Sequence, residues 1–189
     1  MGQRQDTLAK LLRGAGYPVG SARLSRPGRK QIEEAGLASD VDRVYRRLGG
    51  SLPEFPAAAG IWDICLGKVV VEVDEERHFN RYRLMTLESE LYLKLPLFPR
   101  TAYQSYSQEN EAGCLKAAGW GGNWANRSTA RQFGQAGPLR TLPSDSTING
   151  PSRWKQRAFY DLIKDLSVLT GGPPLARLQS LIRWNQVAS

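Results

Sequence analysis

The chain has 189 residues, of which 41% are hydrophobic and 23% are charged, a balance typical of a globular protein long enough to bury a sizeable core. Its 26 basic residues outnumber its 18 acidic residues, which gives a net charge of +8 and favours a nucleic acid as partner. Since no apolar run approaches the roughly 20 residues needed to cross a bilayer, we expect no membrane span.

Cys65 and Cys114 have neither a metal-binding spacing nor enough partners for a disulfide framework, so we expect a reducing, cytoplasmic location. The chain also lacks a GxxxxGK[ST] loop and a GxSxG motif. These absences argue against a P-loop NTPase and a serine hydrolase. The simplest organisation is one domain over residues 1–189.

The first third of the chain predicts short helices separated by glycine and proline. Leucine spacing predicts a helix over residues 5–13, a Gly/Pro/Arg-rich loop follows, and a second helix is expected at 29–35. Ser39 is a candidate N-cap for the helix DVDRVYRRL, which ends at Gly49 and Gly50. The prolines of SLPEFPAAAG indicate an irregular segment or an edge strand.

A β-hairpin is the clearest local pattern. The runs IWDICL and VVVEVD flank Gly67 and Lys68, and a Gly-X pair in this position favours a type II′ turn. In that register Asp63 lies opposite Glu72 on the same face of the sheet, and Asp74 shares that face. The hairpin therefore predicts three converging carboxylates.

The remaining chain predicts helices around one long loop. Helices are expected at 79–93, 103–118, 153–169 and about 175–185, and the Gly/Asn/Ser/Arg-rich segment 119–151 is expected to be a loop. Together with the hairpin, these elements predict an α/β (α+β) fold with a mixed central sheet flanked by helices. The core is expected at about 39–118 and a helical C-terminal part at about 152–186.

The acids of the hairpin suggest a metal site. Asp63 and Glu72 repel each other unless a cation lies between them, and Mg²⁺ or Mn²⁺ would suit two carboxylates and the carbonyl of Val73. Asp74 would be a second ligand or orient a water, and His78 would protonate a leaving group or position the nucleophile. The alternative is a pair of acids that simply face solvent on an edge hairpin.

The order of these residues resembles the PD-(D/E)XK nuclease superfamily. The spacing Glu72-x-Asp74-x-x-x-His78 after a valine-rich strand is similar to the branch of very-short-patch-repair endonucleases. The resemblance covers about residues 60–90. It implies a restriction-endonuclease-like core and metal-dependent cleavage of DNA, with Asp63 and Glu72 as metal ligands.

Two positions differ from the usual pattern of that superfamily. Asp74 occupies the place of its lysine and Glu75 that of the branch's glycine, so a positive charge at the transition state would come from elsewhere. The candidates for this charge are Lys68, Arg77 and Arg81. The superfamily's acid on the first helix has the candidates Glu33, Glu34 and Asp42.

Basic residues near these elements are candidates for contact with the phosphates of DNA. They are Arg77, Arg81, Arg127, Arg131, Arg153 and Lys155. The leading hypothesis is a metal-dependent endonuclease, for which a bacterial defence or restriction system is one setting. The alternatives are a catalytically inactive nucleic-acid-binding module and a subunit of a larger assembly that acts with partner proteins.

Overall fold

A computed structural model describes residues 2–20, 24–119, 127–134 and 151–179. Its four strands form one mixed sheet in the order β1 (Val19–Gly20), β2 (Ile64–Leu66), β3 (Val69–Asp74) and β4 (Leu175–Gln179). The described residues also form the α-helices α1 (Gln3–Gly14), α2 (Arg29–Glu34), α3 (Ala38–Arg47), α4 (Arg81–Leu87), α5 (Arg100–Glu109), α6 (Glu111–Gly119), α7 (Arg127–Phe133) and α8 (Ser152–Asp165). The predicted class, a mixed sheet flanked by helices, is confirmed. No described helix is long and apolar enough to cross a membrane.

The hairpin forms in the predicted register. β2 and β3 pair antiparallel with Ile64 opposite Val71, which places Asp63 level with Glu72 just before β2 begins. Gly67 has a φ of 60°, and no non-glycine residue among those described has a positive φ. Only the first central residue of the turn therefore has a positive φ, as a type II′ turn requires.

The helix predicted at 175–185 is wrong over residues 175–179. These residues form β4, which runs parallel to β3 with Glu72 beside Arg177 and Asp74 beside Gln179. The segment LARLQ has apolar residues three apart, which is compatible with a helical turn, but β3 offers it a row of backbone partners. Tertiary pairing therefore overrides the local pattern. The rest of the predicted helix, residues 180–185, lies outside the described residues.

Other predicted helices have different bounds. The helix expected at 79–93 ends at Leu87 in α4, and residues Glu90–Lys94 form a separate 3₁₀ turn. The helix expected at 103–118 divides at Asn110 into α5 and α6. Ser39 lies inside α3 and is not its N-cap. The sequence reading also missed β1 and α7, because each is short and lies within a segment read as loop.

The two faces of β3 have different surroundings. Val71 and Val73 pack with Ile64 and with Ala9 of α1 in a small apolar cluster. Because side chains alternate along a strand, Glu72 and Asp74 point to the opposite face, where α8 lies. The larger apolar core surrounds α8 and includes Trp154, Phe159, Leu162, Ile163 and Leu166. One face of β3 is therefore apolar, and the other carries the predicted site.

Candidate active site

Helix α8 supplies three charged side chains to the sheet. Asp161, Lys164 and Asp165 have spacings of three and four residues, so they share one face of the helix. All three are buried. Glu72 of β3 and Arg177 of β4 lie on the facing side of the sheet and contact them, and Asp74 of β3 is joined to them through Arg177. The site is thus a layer of charged groups between α8 and the β3–β4 pair.

Asp63, Glu72 and Val73 meet at the start of this layer. The Asp63 carboxylate accepts a hydrogen bond from the Val73 N–H at 2.8 Å, and the Asp63 N–H donates to Glu72 Oε1 at 3.2 Å. The N–H and C=O of one strand residue point to the same side, so the Val73 carbonyl also faces Asp63. The Asp63 carboxylate thus lies at the edge of β3 that carries the Val73 carbonyl, and Glu72 is bonded to the Asp63 backbone.

Glu72 has a lysine beside it that the sequence reading did not identify. Lys164 Nζ lies 2.6 Å from Glu72 Oε2 and also donates to the Ile61 carbonyl at 2.9 Å. Burial raises the pKa of Glu72 to about 7, with a smaller contribution from Asp63, although Lys164 and Arg177 act to lower it. Glu72 is thus a buried carboxylate whose charge depends on nearby cations.

Asp74 pairs with Arg177 and does not group with Asp63 and Glu72 of the hairpin. Arg177 donates to both oxygens of Asp74, at 2.7 and 3.0 Å, and Tyr103 donates its hydroxyl to Asp74 Oδ2 at 2.8 Å. Burial alone would raise the pKa of Asp74, but Arg177 and His78 lower it below its ordinary value. Asp74 is therefore an ionised, buried carboxylate.

His78 and Asp161 form a dyad. His78 Nδ1 lies 2.8 Å from Asp161 Oδ2 and 3.2 Å from Asp74 Oδ1. An ionised carboxylate only accepts hydrogen bonds, so Nδ1 is the donor in these contacts and Nε2 is the ring nitrogen left for another partner. The His78 side chain is 21% exposed, whereas the two aspartates are almost fully buried. The dyad thus presents the Nε2 side of the ring at the edge of a buried acidic pair.

The interior of the layer contains a second arginine–aspartate pair. Arg83 donates to Asp165 Oδ2 at 2.8 Å, and the Tyr92 hydroxyl donates to the same oxygen at 2.6 Å. Arg177 binds the other oxygen of Asp165. Three buried aspartates and two buried arginines therefore interlock, which fixes the positions of Asp74 and Asp161 beneath His78.

A profile of the family DUF7255, described as a family of unknown function, matches residues 43–187. The chain belongs to DUF7255. The match includes every charged residue of the layer, from Asp63 to Arg177. No curated protein and no solved structure matches the chain.

The predicted convergence of three carboxylates is wrong for this DUF7255 chain. Among the described residues, the group of metal-ligand side chains that approach within 4.8 Å of one another is Asp74, His78 and Asp161, not Asp63, Glu72 and Asp74. Asp63 precedes β2, and its carboxylate accepts a hydrogen bond from the Val73 backbone. Asp74 instead accepts hydrogen bonds from Arg177 of β4. Asp63 and Glu72 remain neighbours, and Asp74 instead lies 3.2 Å from Nδ1 of His78.

Lys164 pairs with Glu72, a contact that is not described for any of the three predicted candidates. Lys68 is exposed at the turn, and Arg81 is paired with Glu111 at 2.6 Å. The Arg77 carbonyl accepts a hydrogen bond from Arg157 at 3.2 Å, which places Arg77 at the edge of α8. Lys164 was missed because its spacing from the apolar residues of α8 is that of a solvent-facing side chain.

The acids proposed for the first helix lie on exposed helix surfaces of the DUF7255 chain. Each of the three forms an ion pair with a basic residue four positions away on its own helix. The pairs are Glu33 with Arg29, Glu34 with Lys30, and Asp42 with Arg46. None of these contacts reaches Glu72, so the described residues assign no first-helix acid to the site.

Three of the proposed DNA-binding residues are exposed and one is buried. Arg127 and Arg131 lie on the surface of α7, and Arg153 lies on the surface of α8. Lys155 is fully buried, with Nζ 5.6 Å from the centre of the Tyr82 ring, so its prediction as a DNA contact is wrong. Alternate charged residues at a helix start resemble a surface cluster in sequence, but α8 is buried on most sides.

The buried Lys155 gives a prediction about stability. Burial lowers the pKa of Lys155 from 10.5 to about 8, so charging it in the folded state costs free energy. We expect Lys155→Met to raise the free energy of unfolding by about 1–2 kcal/mol at pH 7. Between about pH 8 and 10.5 the unfolded chain binds more protons than the folded one, so the free energy of unfolding of the native protein rises with pH. The difference in stability between Lys155→Met and the native protein therefore shrinks over this range.

Urea unfolding of the DUF7255 chain and of Lys155→Met at pH 7 and 10 measures this difference. The exposed Lys68→Met is the control and should change stability little at either pH. A less stable Lys155→Met protein at pH 7 would contradict the expectation.

Proposed function

We propose that this protein is a metal-dependent endonuclease that hydrolyses phosphodiester bonds of DNA. One observation carries the proposal: Lys164 of α8 lies 2.6 Å from Glu72, beside Asp63, at the end of a β-hairpin. Two acids and a lysine are the groups that the resemblance to PD-(D/E)XK nucleases leads one to expect. The lysine comes from a distant helix rather than from β3, where Asp74 replaces it.

The donor set fits a hard divalent cation. Asp63, Glu72 and the carbonyl of Val73 offer only oxygen atoms, which suits Mg²⁺ or Mn²⁺. Asp63 Oδ2 and Glu72 Oε1 each take one backbone hydrogen bond, and no hydrogen bond from the described residues reaches Asp63 Oδ1. When bound, such an ion polarises a phosphate oxygen and lowers the pKa of a coordinated water.

Lys164 and His78 complete the chemistry with groups of the chain itself. Hydrolysis forms a bond from water oxygen to phosphorus and breaks the bond to the leaving oxygen. The Lys164 ammonium lies where it can stabilise negative charge on the phosphate. His78 Nε2 can accept the proton of the water or, when protonated, donate one to the leaving oxygen, while Asp161 holds the ring.

Cleavage assays on plasmid and on labelled single- and double-stranded DNA test the proposal, with Mg²⁺, Mn²⁺ or EDTA. We expect cutting that requires metal and falls by at least about 10³-fold in Glu72→Gln, because the variant loses a charged ligand. Exposed Glu88→Gln is the matched control. If the native protein does not cut with either metal, the nuclease proposal fails.

A second candidate is a nucleic-acid-binding module without catalysis. The observation that favours it is that protein groups already satisfy the acids: Lys164 pairs with Glu72, and Arg177 pairs with Asp74. Such a protein binds DNA equally well in Mg²⁺ and in EDTA and never cuts it. The cleavage assays above, run alongside a binding assay, therefore separate the two candidates.

The His78 dyad makes a prediction of its own. In Asp161→Asn the ring loses the carboxylate that fixes its tautomer, so we expect the cleavage rate to fall by about 10²–10⁴-fold with little change in DNA affinity. Cleavage rates of the native protein, Asp161→Asn, His78→Ala and the double variant are compared across pH. A matching loss in both variants without further loss in the double variant is expected, since the two residues act as a unit. Additive losses would argue against the dyad.

A further inference from the structure

We propose that Arg77, Arg153 and Arg157 form a binding site for the phosphate groups of a nucleic-acid backbone, beside His78. The inference deepens the proposed function and rests on it, because it names the part of the substrate that reaches the dyad. It is independent of metal, since no residue of the site is a candidate ligand.

The three arginines lie together at the N-terminal half of α8. Arg153 and Arg157 are one helical turn apart on the same face, and Asp161, which holds His78, is one turn further on. Arg157 donates to the Arg77 carbonyl at 3.2 Å, and Arg77 directly precedes His78 in the chain. The row Arg153, Arg157 and Asp161 thus leads from the surface of the protein to the exposed edge of the dyad.

The backbone at Arg77 is well fixed. Its carbonyl accepts hydrogen bonds from Arg157, from Asn80 at 3.4 Å and from the Cys114 thiol at 3.7 Å. The 3₁₀ turn Glu76–His78 that carries it lies between α6 and α8. Arg77 therefore extends from a rigid support rather than from a free loop.

None of the three arginines has an acidic partner among the described residues. The nearby acids are engaged elsewhere: Glu76 pairs with Arg4, Glu111 with Arg81, and Asp161 with His78 and Arg177. Burial, together with repulsion from Arg153 and Arg77, lowers the pKa of Arg157 despite the opposing effect of Asp161. A partly buried cation in such surroundings gains most from an anion that enters from outside.

The guanidinium groups suit phosphate in particular. Arginine presents a planar fork of donors that binds phosphate oxygens through two parallel hydrogen bonds. Arg153 is exposed and donates to Gln156 at 2.6 Å, so its orientation is fixed while its outer face is accessible. Successive phosphates of one strand contacting this row would bring a phosphodiester to His78.

Binding is measured with the full-length chain in EDTA, using labelled DNA duplexes and single strands of two unrelated sequences at several salt concentrations. We expect Arg153→Gln and Arg157→Gln each to weaken binding by about tenfold, equally for both sequences, because a charge-assisted phosphate contact is lost. The slope of log K against log salt should fall by about 0.7–0.9 for each arginine. Arg43→Gln, which removes an exposed charge paired with Asp40, should change neither quantity.

Thermal unfolding separates a binding role from a structural one. We expect Arg157→Gln to unfold at the native temperature or above, since it relieves a buried, repelled charge while losing DNA affinity. The exposed Arg153→Gln keeps the test valid if Arg157→Gln does not fold. An unchanged salt slope in both variants would overturn the proposal.

Other outcomes distinguish this site from the nuclease proposal and from a free-phosphate site. A protein that never cuts but loses DNA affinity in these variants retains the phosphate site and fails as a nuclease. A protein that cuts but binds normally in the variants retains the nuclease and fails here. If inorganic phosphate stabilises the native protein but not Arg157→Gln while DNA binding is equal in both, the site takes free phosphate and the proposal of a backbone site is overturned.

Discussion

We expect Arg177→Met to lower the free energy of unfolding by about 3–5 kcal/mol, because it leaves buried carboxylates without their cation. Arg177 contacts Asp74, Asp161 and Asp165, and the side chains of all four are at most 5% exposed. Arg83 still pairs with Asp165 in the variant, so the largest unbalanced charge would be at Asp74 and Asp161.

The effect of Arg177→Met should depend on pH. Arg177 lowers the pKa of Asp74 and Asp161, and a carboxyl group with a lowered pKa contributes stability above its unfolded value that is lost as pH falls. In the variant these pKa values rise, so the acids take up protons more readily. The difference between the two proteins should therefore be full near neutral pH and shrink towards about pH 4.

Denaturant unfolding followed by tryptophan fluorescence measures this difference. Arg47→Met is the matched control, because Arg47 pairs with Glu88 at the surface, where both side chains are more than 40% exposed. We expect the control to cost less than about 1 kcal/mol. Equal losses in both variants would show that the buried layer is no more important to stability than a surface pair.

The second large effect is expected on cleavage, in Lys164→Met. If Lys164 stabilises charge on the phosphate, the variant should cut DNA about 10²–10³-fold more slowly at saturating Mg²⁺. Lys164 also lowers the pKa of Glu72, so its loss should raise that pKa above about 7 and weaken metal binding at neutral pH. A metal titration separates these contributions.

Lys155→Met is the matched control for this experiment, since it makes the same change at another buried lysine of α8. It should cut at the native rate. If excess Mg²⁺ or a pH above 8 restores the full rate of Lys164→Met, then Lys164 acts only through the charge of Glu72 and the role at the phosphate is wrong.

The hairpin shows what local sequence can determine. Gly67 accepts a positive φ without cost, the two-residue turn sets the register, and the register alone places Asp63 level with Glu72. The alternation of β3 likewise assigns Val71 and Val73 to one face and Glu72 and Asp74 to the other. These features follow from chain geometry over a dozen residues, which is why the sequence reading predicted them.

The partners of those acids come from parts of the chain where local patterns mislead. On α8, Asp161, Lys164 and Asp165 alternate with apolar residues as a solvent-facing stripe does, yet the sheet covers them. On β4, Arg177 belongs to a segment whose spacing is compatible with a helix. Lys164 and Arg177 lie about 90 or more residues along the chain from the hairpin acids that they contact, so no local pattern links them.

The sequence by itself therefore determined the class of fold, the hairpin, and the neighbouring acids Asp63 and Glu72, since backbone geometry and side-chain alternation are local. Only the tertiary structure decided which cations face those acids. It placed Lys164 on Glu72, gave Asp74 to Arg177, and set Asp161 behind His78. The physical reason is that the ionisation of a buried acid depends on the nearest opposite charge. The crossover from β3 to β4 brings those opposite charges to the acids from distant parts of the chain.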